Sequence, residues 1–226
     1  NKSFVGGLIL LAEEQGKLKT TDRLVDWLAN FDYSGKFDDS ITLHHLLTHT
    51  SGLPDYDAVP KAWPADGFQV FKRQHYPTEA YVDLISQLEP IGPAGGQFYY
   101  SNFAYHLASI VLEQAYRKSF NEILQSQICQ PLGLENTFNS IDNQHISTKV
   151  AEGYQFTNLP TKKEGVTEGY QATSTKGKYT RNNFIDLSLG RRIFSTAKDL
   201  YKWGRAMVDD QLFSAKAKTK MHQNYI

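Results

Sequence analysis

From Phe4 to Ala12 the chain is almost wholly apolar, and no other segment restricts the fold so tightly. The run holds Gly6-Gly7 and closes with Glu13-Glu14-Gln15 before Gly16. It reads as a helix buried on most sides, with small residues that let a neighbour come close. A second apolar run, Phe103 to Leu112, follows Tyr100-Ser101-Asn102 and a glycine-rich turn, Gly92-Pro93-Ala94-Gly95-Gly96. With 226 residues and 40% hydrophobic content, the chain can bury a core of one sizeable domain or two small ones.

The remaining periodicity is also helical. Thr20-Thr21-Asp22 is expected to cap a short helix with Leu24, Val25, Trp27 and Leu28 inward. Thr42 can cap another over Leu43 to Thr48, stopping at Ser51-Gly52-Leu53-Pro54. Thr78 can cap a helix with Tyr81, Leu84, Ile85 and Leu88 on one side. The helix after Asn102 should run to about Tyr116, and Ser119 with Glu122 forms a capping box for the next, ended by Pro131-Leu132-Gly133-Leu134. Thr196 and Asp199 open a helix with Leu200, Trp203 and Met207 on one face, followed by a basic, polar tail from Ser214. Residues 54 to 77 are irregular and aromatic. Ala151 to Phe184 fits short strands or a long surface excursion equally well. Strand patterns are otherwise scarce, so the chain is expected to be mainly helical, without a separate second domain.

Charge and cysteine content remove several function classes. Lys plus Arg (24) equal Asp plus Glu (24), so no broad positive field is available to hold nucleic acid. Cys129 stands alone, which rules out an internal disulfide and a cysteine metal cluster; a packed thiol is its better reading. No stretch has the length and apolarity of a membrane span. The chain starts at Asn1, already near a buried helix, and is read as part of a longer chain.

The candidate chemistry lies at helix starts. Lys2 sits beside the positive end of the first helix and is partly desolvated, and both effects lower the pKa of an amine. Tyr100 and Asn102 flank a small residue at the mouth of the second apolar helix, where a phenol and a carboxamide can face one pocket. The bland reading of that triplet is a helix cap. His45 and His49, four apart, lack the glutamate and third ligand of a zinc site, so metal binding is a weak reading there. Pairing Ser51 with His49 as nucleophile and base is weaker than a turn whose side chains bond its own backbone.

Five segments in one order carry a resemblance. They are Lys2-Ser3-Phe4, Glu14-Gln15-Gly16-Lys17-Leu18, the string Ile41 to Pro54 ending His49-Thr50-Ser51-Gly52-Leu53-Pro54, Tyr100-Ser101-Asn102, and Pro131 to Thr137. The chain thereby resembles the serine β-lactamase and penicillin-binding-protein superfamily over essentially its whole length, down to Ser195-Thr196-Ala197-Lys198-Asp199-Leu200. The nearest branch looks like the class C β-lactamase and esterase-like group.

This resemblance implies the α+β β-lactamase/transpeptidase-like fold, of which residues 1–226 form a partial domain. Residues 18–190 would be mostly its helical and insert region, and most sheet strands are expected outside this chain. It implies a serine hydrolase acting on an amide or ester (a β-lactam, a D-Ala peptide or a small ester) through an acyl-enzyme, without cofactor or metal. Lys2 matches the lysine of Ser-x-x-Lys, which sets the nucleophile two residues before Asn1. Tyr100 matches the tyrosine that assists proton transfer, and Asn102 the residue that binds the substrate amide and orients the lysine. The expected partner is a small molecule or peptide, and family habit suggests export to the periplasm or cell surface. Three departures stand out, the first being that the nucleophilic serine is not among residues 1–226, so no serine-dependent turnover is expected of them alone. No Lys/His-x-Gly motif follows, since His222-Gln223-Asn224 lacks the glycine, and Gly190-Arg191-Arg192-Ile193-Phe194 replaces an expected Gly-Gly. A non-catalytic relative binding peptide or glycan in the same cleft is the alternative.

Overall fold

The computed structural model describes residues 1–28, 37–55, 85, 88–139, 154–156, 170–172 and 193–223. Its helices are α1 (Lys2–Glu14), α2 (Leu24–Trp27), α3 (Leu43–Leu47), α4 (Asn102–Tyr116), α5 (Phe120–Leu124), α6 (Gln130–Leu132), α7 (Ala197–Val208) and α8 (Ala215–His222). Helix α5 continues into α6 through one wide π turn, Gln125–Cys129. Two small antiparallel sheets are present among the described residues. Strand β1 (Phe138–Asn139) pairs with β4 (Ile193–Phe194), and β2 (Tyr154–Phe156) with β3 (Tyr170–Ala172). The expectation of a mainly helical chain therefore holds, and the 151–184 stretch does contain short strands. The helix expected after Thr78 lies outside the described residues, apart from buried, helical Ile85 and buried Leu88.

Helices α1 and α4 form the centre, as their all-round apolarity requires. Every residue from Phe103 to Leu112 is buried, and α1 buries Phe4, Val5 and Gly7 through Ala12. They pack on each other, and α1 also touches α5 and α8. Burying a large aliphatic or aromatic side chain contributes roughly 1.5–3 kcal/mol, so this pair supplies much of the folding drive. Gly7 is the point of close approach. A Cβ there would lie 2.8 Å from the Trp203 ring, which stacks on Phe4 with centroids 4.6 Å apart. Gly6 faces open space instead.

Caps explain most of the boundaries. Thr42, Ser101, Ser119, Thr196 and Ser214 each accept a backbone N–H from the first turn of their helix. At α2 the expected cap fails. Asp22 accepts the Lys19 N–H, and Thr20 gives both its N–H and its hydroxyl to Glu13, leaving Arg23 at the N-cap without a side-chain bond. Thr20 serves tertiary structure rather than the local helix.

Two further expectations need correction. Leu200 is exposed, and the inward face of α7 is Asp199, Trp203 and Ala206, with Met207 packed only at the core's edge. The cause is Asp199, whose carboxylate accepts the Asn136 N–H at 2.8 Å and the Thr137 hydroxyl at 2.9 Å. Those bonds turn α7 so that the neighbouring leucine faces outward. The basic tail from Ser214 is also more than a tail: Ser214 caps α8, and Lys220 on it donates to Glu13 of α1 at 2.7 Å.

Candidate active site

A loop template positions the Tyr100-Ser101-Asn102 triplet. Residues His49 to Pro54 leave α3 with two positive φ values, 58° at His49 and 73° at Gly52. The carbonyls of Gly52, Thr50 and His49 accept the N–H groups of Ile91, Gly95 and Tyr99 at 2.9, 2.8 and 2.8 Å. His49 Nδ1 then accepts the Ser101 N–H at 3.1 Å, and the Ser101 hydroxyl donates to the Pro54 carbonyl at 2.8 Å. The glycine-rich turn is thus laid along the loop, bond by bond, until α4 begins. Ser101 is fully buried and caps α4, so the cap reading of the triplet is correct for its middle residue. Its flanking residues remain available.

Lys2, Tyr100 and Asn102, singled out from sequence, do come together. Lys2 Nζ donates to Asn102 Oδ1 at 2.8 Å, and the Tyr100 hydroxyl lies 3.5 Å from the same oxygen. The Lys2 ammonium also sits over the Tyr105 and Tyr100 rings, 5.1 and 5.5 Å from their centroids. Burial pushes the Lys2 amine down to about 8, and the Asp55 carboxylate only partly opposes this. The Tyr100 phenol is raised, by burial first and then by Asp55. An amine near 8 with a neutral acceptor is partly unprotonated at mildly alkaline pH and can take a proton from a hydroxyl brought to it.

Two further residues belong to the arrangement and were not recognised in their roles from sequence. Asp55 accepts the Asn102 backbone N–H at 2.9 Å and its side-chain amide at 3.0 Å. The His49 ring packs on Tyr100 with centroids 4.5 Å apart, while burial and then the Lys2 charge push it down to about 4. His49 is consequently neutral at ordinary pH and acts as an acceptor for the Ser101 N–H. No local pattern marks Asp55, because its partner Asn102 lies 47 positions further along the chain.

The other residues weighed from sequence have structural partners. His45 Nδ1 accepts the Thr42 N–H at 3.3 Å, within the α3 capping box. Ser51 accepts the Leu53 N–H at 3.3 Å, as the turn reading expects. Cys129 is buried, its thiol pushed up to about 12 by burial and by Asp199, and it donates weakly to the Thr137 carbonyl.

Comparison with known proteins decides the family. The family model described as Beta-lactamase matches residues 1–225. The chain belongs to the beta-lactamase family. A penicillin-binding protein of Bacillus subtilis (strain 168) is 30% identical over 162 residues, which cover 69% of this chain and 32% of the relative. This family member therefore spans about a third of that relative's length. Among solved structures, a D-stereospecific amidohydrolase from Streptomyces sp. matches with a TM-score of 0.75 at 21% identity, covering 98% of this chain and 63% of that one. The penicillin binding protein from Bacillus halodurans gives a TM-score of 0.73 at 24% identity, covering 100% and 63%. These likenesses establish the β-lactamase/transpeptidase-like fold for this member.

Proposed function

We propose that the protein is a serine hydrolase that opens an amide or ester bond through an acyl-enzyme. The observation that carries this reading is the gathering of the Lys2 ammonium and the Tyr100 hydroxyl on one oxygen, Asn102 Oδ1. The nucleophile in this reading is a serine three positions before Lys2, one helical turn away on the same face. Unprotonated Lys2 takes the serine hydroxyl proton as the serine oxygen bonds to the substrate carbonyl carbon. When the carbon–nitrogen or carbon–oxygen bond breaks, a proton passes to the leaving group through Lys2 or Tyr100. Water, giving up a proton by the same route, then releases the acid and restores the serine. Asn102 orients Lys2 and binds the substrate amide.

The names of the structural neighbours favour amide substrates. They include the D-stereospecific amidohydrolase above and a D-amino acid amidase from Ochrobactrum anthropi, at 20% identity and TM-score 0.73, covering 96% of this chain and 56% of that one. The test is acylation of the full-length protein by a fluorescent penicillin and turnover of nitrocefin, a p-nitrophenyl ester and a D-amino acid amide. Acyl adduct on the serine, with turnover of at least one substrate and loss of both in Lys2→Met, is the expected result. Binding of a peptide or glycan without any adduct or turnover would replace the hydrolase reading with the non-catalytic one.

A further inference from the structure

We propose that Asp55 is a positioning residue of this site: its carboxylate holds the Asn102 carboxamide with nitrogen outward, so that the oxygen must face Lys2. The inference rests on the hydrolase reading above for its kinetic consequence but not for its structural one. A carboxamide has two nearly equivalent orientations, and only its partners choose between them. An ionised carboxylate can only accept, so it admits the NH2 end alone. Asp55 Oδ2 lies 3.0 Å from Asn102 Nδ2, and Oδ1 lies 3.3 Å from it. Oδ1 also takes the Asn102 backbone N–H at 2.9 Å, which fixes the carboxylate against the start of α4.

The loop locks Asp55 in turn, because the neighbouring Pro54 carbonyl accepts the buried Ser101 hydroxyl at 2.8 Å. Without the carboxylate the amide is free to rotate. Its NH2 would then repel the Lys2 ammonium, or donate to the lone pair of the neutral amine and occupy the base. Among the described residues, the groups that face Lys2 include Asp55 from the loop, His49 from the end of α3, and Tyr100 and Tyr105 at and within the start of α4. The Asp55 charge favours the ammonium, so removing it moves the Lys2 titration to lower pH.

The experiment compares wild type, Asp55→Asn, Asp55→Ser and Asp55→Glu in the full-length protein. One measurement is the titration of Lys2 by NMR of 13C-lysine, with the signal assigned by its loss in Lys2→Met. The other is the pH profile of kcat/KM, whose acid limb reports the loss of the Lys2 proton. Asp55→Asn and Asp55→Ser should shift the titration and the limb to lower pH and lower the alkaline plateau roughly 10- to 100-fold, the scale of a misplaced catalytic group. Asp55→Glu should restore the position of the limb. An unmoved Lys2 titration in both charge-removing variants overturns the proposal, as does a loss of activity that Asp55→Glu leaves unrepaired and that tracks thermal stability alone. If the charge-removing variants do not fold, the wild-type Asn102 side-chain amide decides. One of its protons should be protected from exchange by the Asp55 carboxylate, and equal, unprotected protons overturn the inference. A wild type that never acylates would reject the hydrolase reading, and the Lys2 titration would still judge Asp55.

Discussion

Two lysines line the same cavity of about 310 Å³ and have opposite surroundings. Lys220 on α8 donates to the Glu13 carboxylate at 2.7 Å and to the Thr20 hydroxyl at 2.5 Å, joining three segments. Lys2 donates to a carboxamide oxygen at 2.8 Å and lies over two aromatic faces, and the Asp55 carboxylate holds the other end of that amide. A lysine given a carboxylate gains from staying charged. One held by a carboxamide oxygen and aromatic faces loses hydration that a more distant carboxylate only partly offsets, and its proton becomes removable. Proximity to one cavity therefore says little about a lysine's role; the acceptor decides it.

The largest effect that tests this contrast is on activity. Lys2→Met should lower kcat/KM of the full-length protein by about three orders of magnitude, within the range assigned to a general base. The same variant should melt higher, by something on the order of 1 kcal/mol, because an active-site group that is poorly solvated in the fold costs stability. Lys220→Met should do the reverse: activity per folded molecule unchanged, stability reduced. If both variants lose activity in proportion to their melting temperatures, the distinction between the two lysines collapses.

The next effect separates the two surroundings through the backbone. A Cβ on Gly52 would lie 2.0 Å from the Gly92 carbonyl oxygen, and its φ of 73° is strained for any L side chain. Gly52→Ala should cost about 3 kcal/mol from strain plus forced displacement. Since that loop holds Asp55 and the Tyr100 segment, the variant should also broaden or shift the Lys2 NMR signal. The Lys220–Glu13 pair hangs on α1 and α8 and should keep its titration. Equal disturbance of both would show that the loop is general scaffolding.

How much of this was visible in the sequence follows the same division. Helices with strong local signals were legible: α4 from its ten apolar residues, α5 from Ser119 and Glu122, and α3 from Thr42. So were Lys2, Tyr100 and Asn102 as a set, because their motifs stand in order along the chain. Failures occurred where a polar side chain serves a distant partner. Thr20 goes to Glu13 instead of capping α2, and Asp199 reaches Asn136 and Thr137, which turns Leu200 outward. Asp55 belongs to the same class, since its bonds to Asn102 cross a sequence gap that no local pattern reports. The α8 helix escaped notice because its stability comes from Ser214 and from Lys220 reaching α1. Its apolar face is small, Ala217 and Met221 among lysines and polar residues.

The smallest predicted effect concerns acid stability and isolates Lys220. Burial works against the Glu13 carboxylate, but the Lys220 ammonium and the Thr20 N–H and hydroxyl together hold it below its ordinary value of 4.5. A carboxylate with a lowered folded pKa binds protons less readily than in the unfolded chain. Its contribution is therefore complete above about 4.5 and disappears as pH falls through the folded value. Both side chains are about a quarter to a third exposed, at 30% and 24%, so the pair is screened and Lys220→Met should cost only about 1 kcal/mol at pH 7. Urea melts at pH 7 and near pH 3 measure the difference. The gap between wild type and Lys220→Met should narrow toward the acid end, as Glu13 takes up its proton. A gap that stays constant with pH would mean that Lys220 stabilises through its packed methylenes, leaving Lys2 as the only lysine of the two whose charge matters.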